Sequence, residues 1–437
     1  MVVAAALALA ACDGFPRKAG PATADAVRDR VFAARAAAIV ARMSDEEVAG
    51  QLLLTGVEGS RRLSAASAAL LERAAVGGVM LFKYNLGQGS EATRRFTDEC
   101  VAAAVAGERV RDSGAAGGAA ESYRILPFVA VDHEGGSVHR FASDATRLPA
   151  AATFGAFAEK NGERAAADAV RETAYRAGLE LRALGVTLNL APVAEASDER
   201  SAAFLGDRSY GSDGRLVAAA AGAFVEGMDE AGVACVVKHF PGNAEGDPHR
   251  AAPVIALDTE GLGRMVAPFR TVISAARPAA VMVSHAVVEA VDPERPGSLS
   301  PAVVSGWLKG DLGFRGFVVT DDLRMGAVAL TGRSPSRAAV EAVAAGADLI
   351  MTWPKDLLAV RDALVSAVAD GRLPAERFRD AARRVIAAKF RYGLCMRIAD
   401  AEGPGRERGE QDTEAVAETV ARFRAETERY VRERGLE

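Results

Sequence analysis

The sequence predicts an α/β fold built as a single (β/α)8 TIM-like barrel with a short C-terminal helical tail. Three observations carry that prediction. Eight apolar runs of strand length are spread through the chain. Most are continuous rather than alternating, as strands buried on both faces must be. Longer stretches of helical period lie between them, so β and α elements alternate as a closed barrel requires. An open doubly wound sheet is the competing arrangement, but no GxGxxG or GxxxxGK loop supports a nucleotide-binding version of it.

The runs, in order, are Gln51–Thr55, Gly78–Phe82, Phe128–Asp132, Leu188–Val193, Ala234–His239, Ala280–His285, Gly316–Asp321 and Ala347–Thr352. Helical period is clearest over Ala165–Leu184, Arg215–Ala231, Leu262–Ala276, Pro301–Leu308 and Arg337–Ala345. A further helix is expected over Ala26–Arg42. Ser44 followed by Glu47 is a capping-box pattern for the next one. Gly107–Ser122 carries Gly-Ala-Ala-Gly-Gly-Ala-Ala and is expected to be a flexible excursion before the third strand. The barrel is placed at residues 26–395. Residues 396–437 form a linker (Glu402–Glu410) and a helical tail (Thr413–Arg434).

Of 437 residues, 50% are hydrophobic and 25% charged, enough for a large core. The net charge of −5 and a pI near 5.8 argue against a nucleic-acid binder. Arg61-Arg62 and Arg94-Arg95 are isolated pairs that read as solvated helix faces. The N-terminus is apolar from Met1 to Ala11, and Leu9-Ala-Ala-Cys12 is similar to a bacterial lipobox. Residues 1–12 are therefore expected to be a signal peptide, although no Lys or Arg precedes Cys12. Cys12 would be lipidated and residues 13–25 would form a tether. The expected location is a membrane-anchored lipoprotein on the periplasmic or extracellular side, or the cytoplasm if the lipobox is spurious. No later stretch is long and apolar enough to span a bilayer. Cys100, Cys235 and Cys395 fit no zinc or CxxC spacing, and Cys235 reads as a small buried hydrophobe.

Functional groups in such a barrel sit where strands end at the C-terminal face. Asp132 and Asp321 end two runs, Lys238-His239 a third and His285 a fourth. All five histidines (His133, His139, His239, His249, His285) fall at or just after such ends. After Lys238-His239 comes a Pro-Gly break and a polar loop carrying Asp247 and His249, a carboxylate beside an imidazole suited to proton transfer. No HExxH or His-x-His pattern is present, so no metal and no cofactor is expected. Ser284-His285 could enter a triad, but no GxSxG elbow presents a serine. What remains is Asp321 with His249 and Asp247. A nucleophilic carboxylate with a proton donor is the machinery of a retaining glycosidase.

Ordered sequence words point the same way. They are Met43-Ser-Asp-Glu-Glu-Val-Ala-Gly-Gln-Leu52, Gly78-Val-Met-Leu-Phe82 with Asn85, Asp132-His-Glu-Gly-Gly-Ser-Val-His-Arg-Phe141 and Leu190-Ala-Pro-Val193. Arg208-Ser-Tyr-Gly-Ser212, Lys238-His-Phe-Pro-Gly242, Val319-Thr-Asp-Asp-Leu-Arg-Met325 and Ala345-Gly-Ala-Asp-Leu349 follow. In these words, over about residues 40 to 395, the chain resembles glycoside hydrolase family 3, in its β-N-acetylglucosaminidase (β-hexosaminidase) branch. The resemblance implies a retaining hydrolase acting on terminal β-linked N-acetylhexosamine of glycans such as peptidoglycan fragments. It implies Asp321 as nucleophile, with Asp322 structural. It implies His249 as acid/base paired with Asp247, and Asp132, Arg208, Lys238 and His239 as sugar-binding residues. The chain departs from the family in a shorter loop after Pro241-Gly242, in Ser137 where Arg is common, and in Glu195 where Asp is common.

The rival within the family is a β-glucosidase type, which commonly takes its acid/base from a second domain. Only about 40 residues follow the barrel in this sequence. The rival of another class is a non-catalytic, lipid-anchored sugar-binding protein, which would keep Asp132, Arg208 and Lys238 but usually lose Asp321 or His249; both are present. The partner expected on either reading is carbohydrate, with no nucleic acid and with a membrane contacted only through the anchor.

Overall fold

The structure is a computed structural model describing residues 24–107, 111–112, 122–243, 251, 253–397 and 410–437. Eight parallel strands form its centre: β1 (Leu53–Gly56), β2 (Gly78–Leu81), β3 (Phe128–Val131), β4 (Leu188–Asn189), β5 (Ala234–Phe240), β6 (Ala280–Val283), β7 (Phe317–Thr320) and β8 (Ile350–Thr352). Each pairs with its neighbour in chain order, and β1 also pairs with β8. The ring closes between β7 and β8 through a parallel bridge of Val319 with Leu349 and a bond from Thr320 N–H to Leu349 O of 3.1 Å. This is the expected barrel.

Continuous apolar runs are needed because each strand buries both faces. Alternate residues divide between two cores. Leu54, Met80, Phe128, Ala130, Val236 and Phe317 fill the barrel interior. Leu53, Val79, Val129, Val131, Val237 and Val318 face the surrounding helices. Cys235 is buried on that outer side, as a small hydrophobe should be.

Some boundaries moved for identifiable reasons. Gln51 ends a helix, Asp45–Gln51, rather than starting a strand, because Ser44 and Glu47 cap that helix reciprocally. The Leu188–Val193 run forms a continuous ladder only over Leu188–Asn189, with a separate parallel bridge of Val193 to Lys238, since Pro192 between them has no N–H for a ladder. Residues Ala302–Asp311 form a π-helical rather than an α-helical segment. Among the described residues, five helices of ten residues or more, Ala65–Ala74, Ser90–Ala106, Ala151–Asn161, Leu357–Ala369 and Ala375–Arg391, lie outside the stretches singled out by period.

Two peripheral segments are more integrated than their composition suggests. The ends of the Gly107–Ser122 excursion are paired: Arg111–Asp112 lies antiparallel to Ser122–Tyr123, and Tyr123–Ile125 pairs with Cys395–Arg397. The tail helix, Glu410–Glu433, packs against helices Glu163–Ala183 and Ser90–Ala106. It buries Val420 and Val431, and Thr427 donates to the Glu180 carboxylate at 2.6 Å. Glu180 also receives the N–H and hydroxyl of Thr146, at 2.7 and 2.9 Å.

Candidate active site

The site is assembled from residues that leave β3 through β7 at their C-terminal ends. After β3 the chain makes a tight turn at Gly135-Gly136, with φ of 101° and 54°. A Cβ on Gly135 would lie 2.2 Å from Pro149 O, and one on Gly136 2.4 Å from the Asp207 carboxylate. Only glycine fits there. The turn leaves Asp132 and Glu134 at the barrel mouth. The N–H and carbonyl of His133 are both held by the Asn189 side chain at the end of β4.

Glu134 is the hub. Arg208 grips it bidentately, Nε to Oε2 at 2.8 Å and Nη2 to Oε1 at 2.9 Å. Lys238 Nζ lies 2.6 Å from Glu134 Oε1 and 2.8 Å from Asp132 Oδ1. Arg140 completes the cluster, 3.1 Å from Asp132 Oδ2. Burial pushes the Glu134 carboxyl up, but Lys238 and Arg208 outweigh it and hold it down at about 2. Burial likewise disfavours the Lys238 cation, but Asp132 and Glu134 overcome this and raise its pKa. Ser137, one of the departures, ties the turn to the Arg208 segment: its N–H donates to Asp207 Oδ2 at 2.9 Å and its hydroxyl donates to Oδ1.

Consecutive residues of a strand normally face opposite ways. The β5–β6 register shifts between Val237 and Phe240, and both Lys238 and His239 engage groups at the mouth. His239 Nδ1 is 2.7 Å from Glu195 Oε1, and since a carboxylate can only accept, Nδ1 carries the hydrogen. Glu195 also accepts the Asn243 N–H at 2.6 Å and its side-chain amide at 3.0 Å. Burial raises the Glu195 carboxyl, and the bonds from His239 and Asn243 bring it below its ordinary value.

Asp321 follows β7 directly and is half-buried. Burial pushes its carboxyl up. His239, the Asp322 N–H (2.8 Å to Oδ1) and Lys238 outweigh burial, so it stays below the ordinary carboxylate range. Asp322 is occupied elsewhere: it accepts from Trp353 Nε1 at 2.7 Å and from Arg324 N–H at 2.9 Å. His285, after β6, sits between the Ser298 hydroxyl (Nδ1, 2.7 Å) and the Asp322 carbonyl (Nε2, 3.0 Å). The carbonyl only accepts, so Nε2 donates and Nδ1 accepts from Ser298. Burial lowers the pKa of His285, consistent with a neutral ring.

Asp132, Arg208, Lys238, His239 and Asp321 are thus all at one end of the barrel: Asp132, Glu134, Arg208 and Lys238 form one bonded cluster, His239 joins Glu195 and Asn243 in a second, and Asp321 feels the charge of both. Asp247, His249 and Cys12 lie outside the described residues. Glu134, Glu195 and Arg140 were not among the predicted site residues. Glu134 and Arg140 lie inside the Asp132–Phe141 word, and Glu195 stood out as a departure, so the signal was present without the partner that gives it meaning.

A parallel barrel whose C-terminal mouth gathers carboxylates, a lysine and imidazoles is the architecture of an enzyme acting on a polar small molecule or polymer end. Residues 43–388 match the model described as glycosyl hydrolase family 3 N terminal domain. The chain belongs to that family and is a glycoside hydrolase. It is 34% identical over 366 residues to "Beta-hexosaminidase LpqI" of Mycobacterium tuberculosis, covering 82% of this chain and 85% of that one. It is 36% identical over 306 residues to a "Beta-hexosaminidase" of Thioalkalivibrio sulfidiphilus, covering 68% and 79%. Among solved structures, a family 3 beta-N-acetylglucosaminidase from Paenibacillus superposes with a TM-score of 0.71 at 31% identity, covering 87% of this chain and 69% of that one. NagZ of Neisseria gonorrhoeae superposes with a TM-score of 0.61 at 28% identity, covering 85% and 97%.

Proposed function

We propose that the protein is a retaining β-N-acetylglucosaminidase that removes terminal, non-reducing β-linked N-acetylhexosamine from glycans such as peptidoglycan fragments. The observation that carries the reading is Asp321, a half-buried carboxylate kept ionised at the mouth of a barrel of this family. The names of the relatives support the choice of sugar. Asp132, Arg208, Lys238 and His239 supply charged donors and acceptors for hydroxyl groups beside it.

In the proposed reaction an Asp321 oxygen bonds to the anomeric carbon as the bond to the leaving oxygen breaks. His249 gives that oxygen its proton. Water then attacks the glycosyl ester, His249 takes a proton from it, and Asp321 leaves as carboxylate. Asp247 orients the imidazole and favours its protonated form. The lipobox supports a lipidated Cys12 that holds the enzyme at a membrane surface on the periplasmic or extracellular side.

The test is hydrolysis of aryl β-GlcNAc against aryl β-glucoside, with and without phosphate, by wild type and Asp321→Ala. The expected result is turnover of the N-acetyl substrate, unchanged by phosphate and abolished in the variant. Preference for the glucoside would assign the chain to the β-glucosidase type. Phosphate-dependent release would make it a phosphorylase. Full activity of Asp321→Ala would remove the nucleophile.

A further inference from the structure

The rim of the barrel mouth is chemically divided. The polar network described above occupies the ends of β3 to β6. Across the rim, the ends of β8, β1 and β2 carry a row of aromatic rings. Trp353 follows β8 directly, and Phe82 follows β2. Their rings stack with centroids 5.0 Å apart and planes 12° from parallel. Tyr84 continues the row, 5.7 Å from Phe82 and again at 12°. Between the two strands, Gly56 ends β1. A Cβ there would lie 3.1 Å from the Phe82 ring and 3.6 Å from Trp353. The missing side chain is what lets the rings lie over that strand end.

The row is anchored at one end and open at the other. Trp353 donates its indole N–H to Asp322, the residue after Asp321, so the inner ring is fixed beside the candidate nucleophile. Tyr84 is 54% exposed, an aromatic face left in water at the mouth of a glycoside hydrolase. One exposed aromatic is unremarkable. Three near-parallel rings form a built stack, in which Phe82 is covered on both faces and Tyr84 presents the outer face.

We propose that Tyr84, backed by Phe82 and Trp353, forms a stacking site for the ring of the leaving group, a second pyranose. This rests on the glycosidase reading above. The hydroxyls of the sugar being cleaved need hydrogen-bond partners, which the polar half of the rim supplies. The C–H face of a pyranose is apolar and flat, and it gains most by covering an exposed aromatic face. The enzyme would therefore favour oligosaccharides over glycosides of small alcohols.

The test uses the full chain as wild type, Tyr84→Ala and Tyr84→Phe. The substrates are methyl β-GlcNAc, which has no ring in its leaving group, and the β-1,4-linked GlcNAc disaccharide. Tyr84→Ala should lower kcat/KM on the disaccharide about three- to ten-fold, chiefly through KM, and leave the methyl glycoside unchanged. Tyr84→Phe keeps the ring and should keep the wild-type ratio between the two substrates. An equal loss on both substrates would place Tyr84 against the cleaved sugar and overturn the proposal, as would no loss on the disaccharide. A wild-type chain inactive on both overturns the N-acetylglucosaminidase reading itself, and this proposal with it.

Discussion

Replacing Glu134 by Gln tests the network at its hub. The change keeps shape and one acceptor oxygen but removes the charge that holds Lys238 and Arg208. The Glu134 carboxyl lies at about 2 in the folded chain against an ordinary 4.5. A carboxyl with a depressed folded pKa stabilises the fold above its unfolded pKa, and the effect is lost as pH falls through the folded value. At 1.36 kcal/mol per pKa unit, the charge contributes about 3 kcal/mol at pH 7, and integrating the two titrations leaves about 1 kcal/mol at pH 3. Urea denaturation of wild type and Glu134→Gln at both pH values reads the difference directly. The variant should be about 3 kcal/mol less stable at pH 7, within the range for breaking a buried ion pair, and the gap should narrow by more than half at pH 3. A gap of the same size at both pH values would show that packing, not charge, is what Glu134 supplies.

Other consequences are open to simpler assays. Thr427→Val removes the hydroxyl that clips the tail helix to Glu180 and should cost about 1–2 kcal/mol in urea denaturation, with the N-acetylglucosaminidase KM unchanged. His249→Ala should be severe on substrates with poor leaving groups and milder on activated aryl glycosides, whose departure needs little protonation; equal losses on both, in a step shown to be glycosylation, would remove it from the acid role. Cys12→Ser should release the protein from the membrane fraction, because stable anchoring takes two acyl chains on that residue; unchanged fractionation would make the lipobox spurious.

The strands were legible because burial on both faces writes itself as a continuous apolar run, and the mouth was legible because Asp132, Lys238, His239, His285 and Asp321 end those runs. Two kinds of information were not. Alanine-rich helices such as Ala65–Ala74 carry little periodic contrast, since alanine is tolerated on either face, so they did not stand out. The roles of Glu134 and Glu195 depend on partners far along the chain. Nothing local to Glu134 announces Arg208 and Lys238, and nothing local to Glu195 announces His239 and Asn243. The register shift that brings both Lys238 and His239 into use also breaks the alternation on which face assignments rest.

The same burial acts in opposite senses across this site, and the network sorts the outcome. It lowers His285, whose two ring nitrogens are satisfied by Ser298 and a carbonyl, so that imidazole is held neutral. It would also neutralise Lys238 and Asp321. Lys238 escapes because Asp132 and Glu134 each lie within 2.8 Å of its ammonium. Asp321 escapes in part because Lys238 is charged. The ionised state that a nucleophile needs is therefore not a property of Asp321 alone. It depends on the charges gathered around it, so a substitution at Glu134 should reach the reacting carboxylate without touching it. In Glu134→Gln the Lys238 ammonium, still paired with Asp132, stays charged at acidic pH while one negative charge is removed from the site, so the acidic limb of the kcat/KM profile should move to lower pH. An unmoved limb in a folded variant would sever that link.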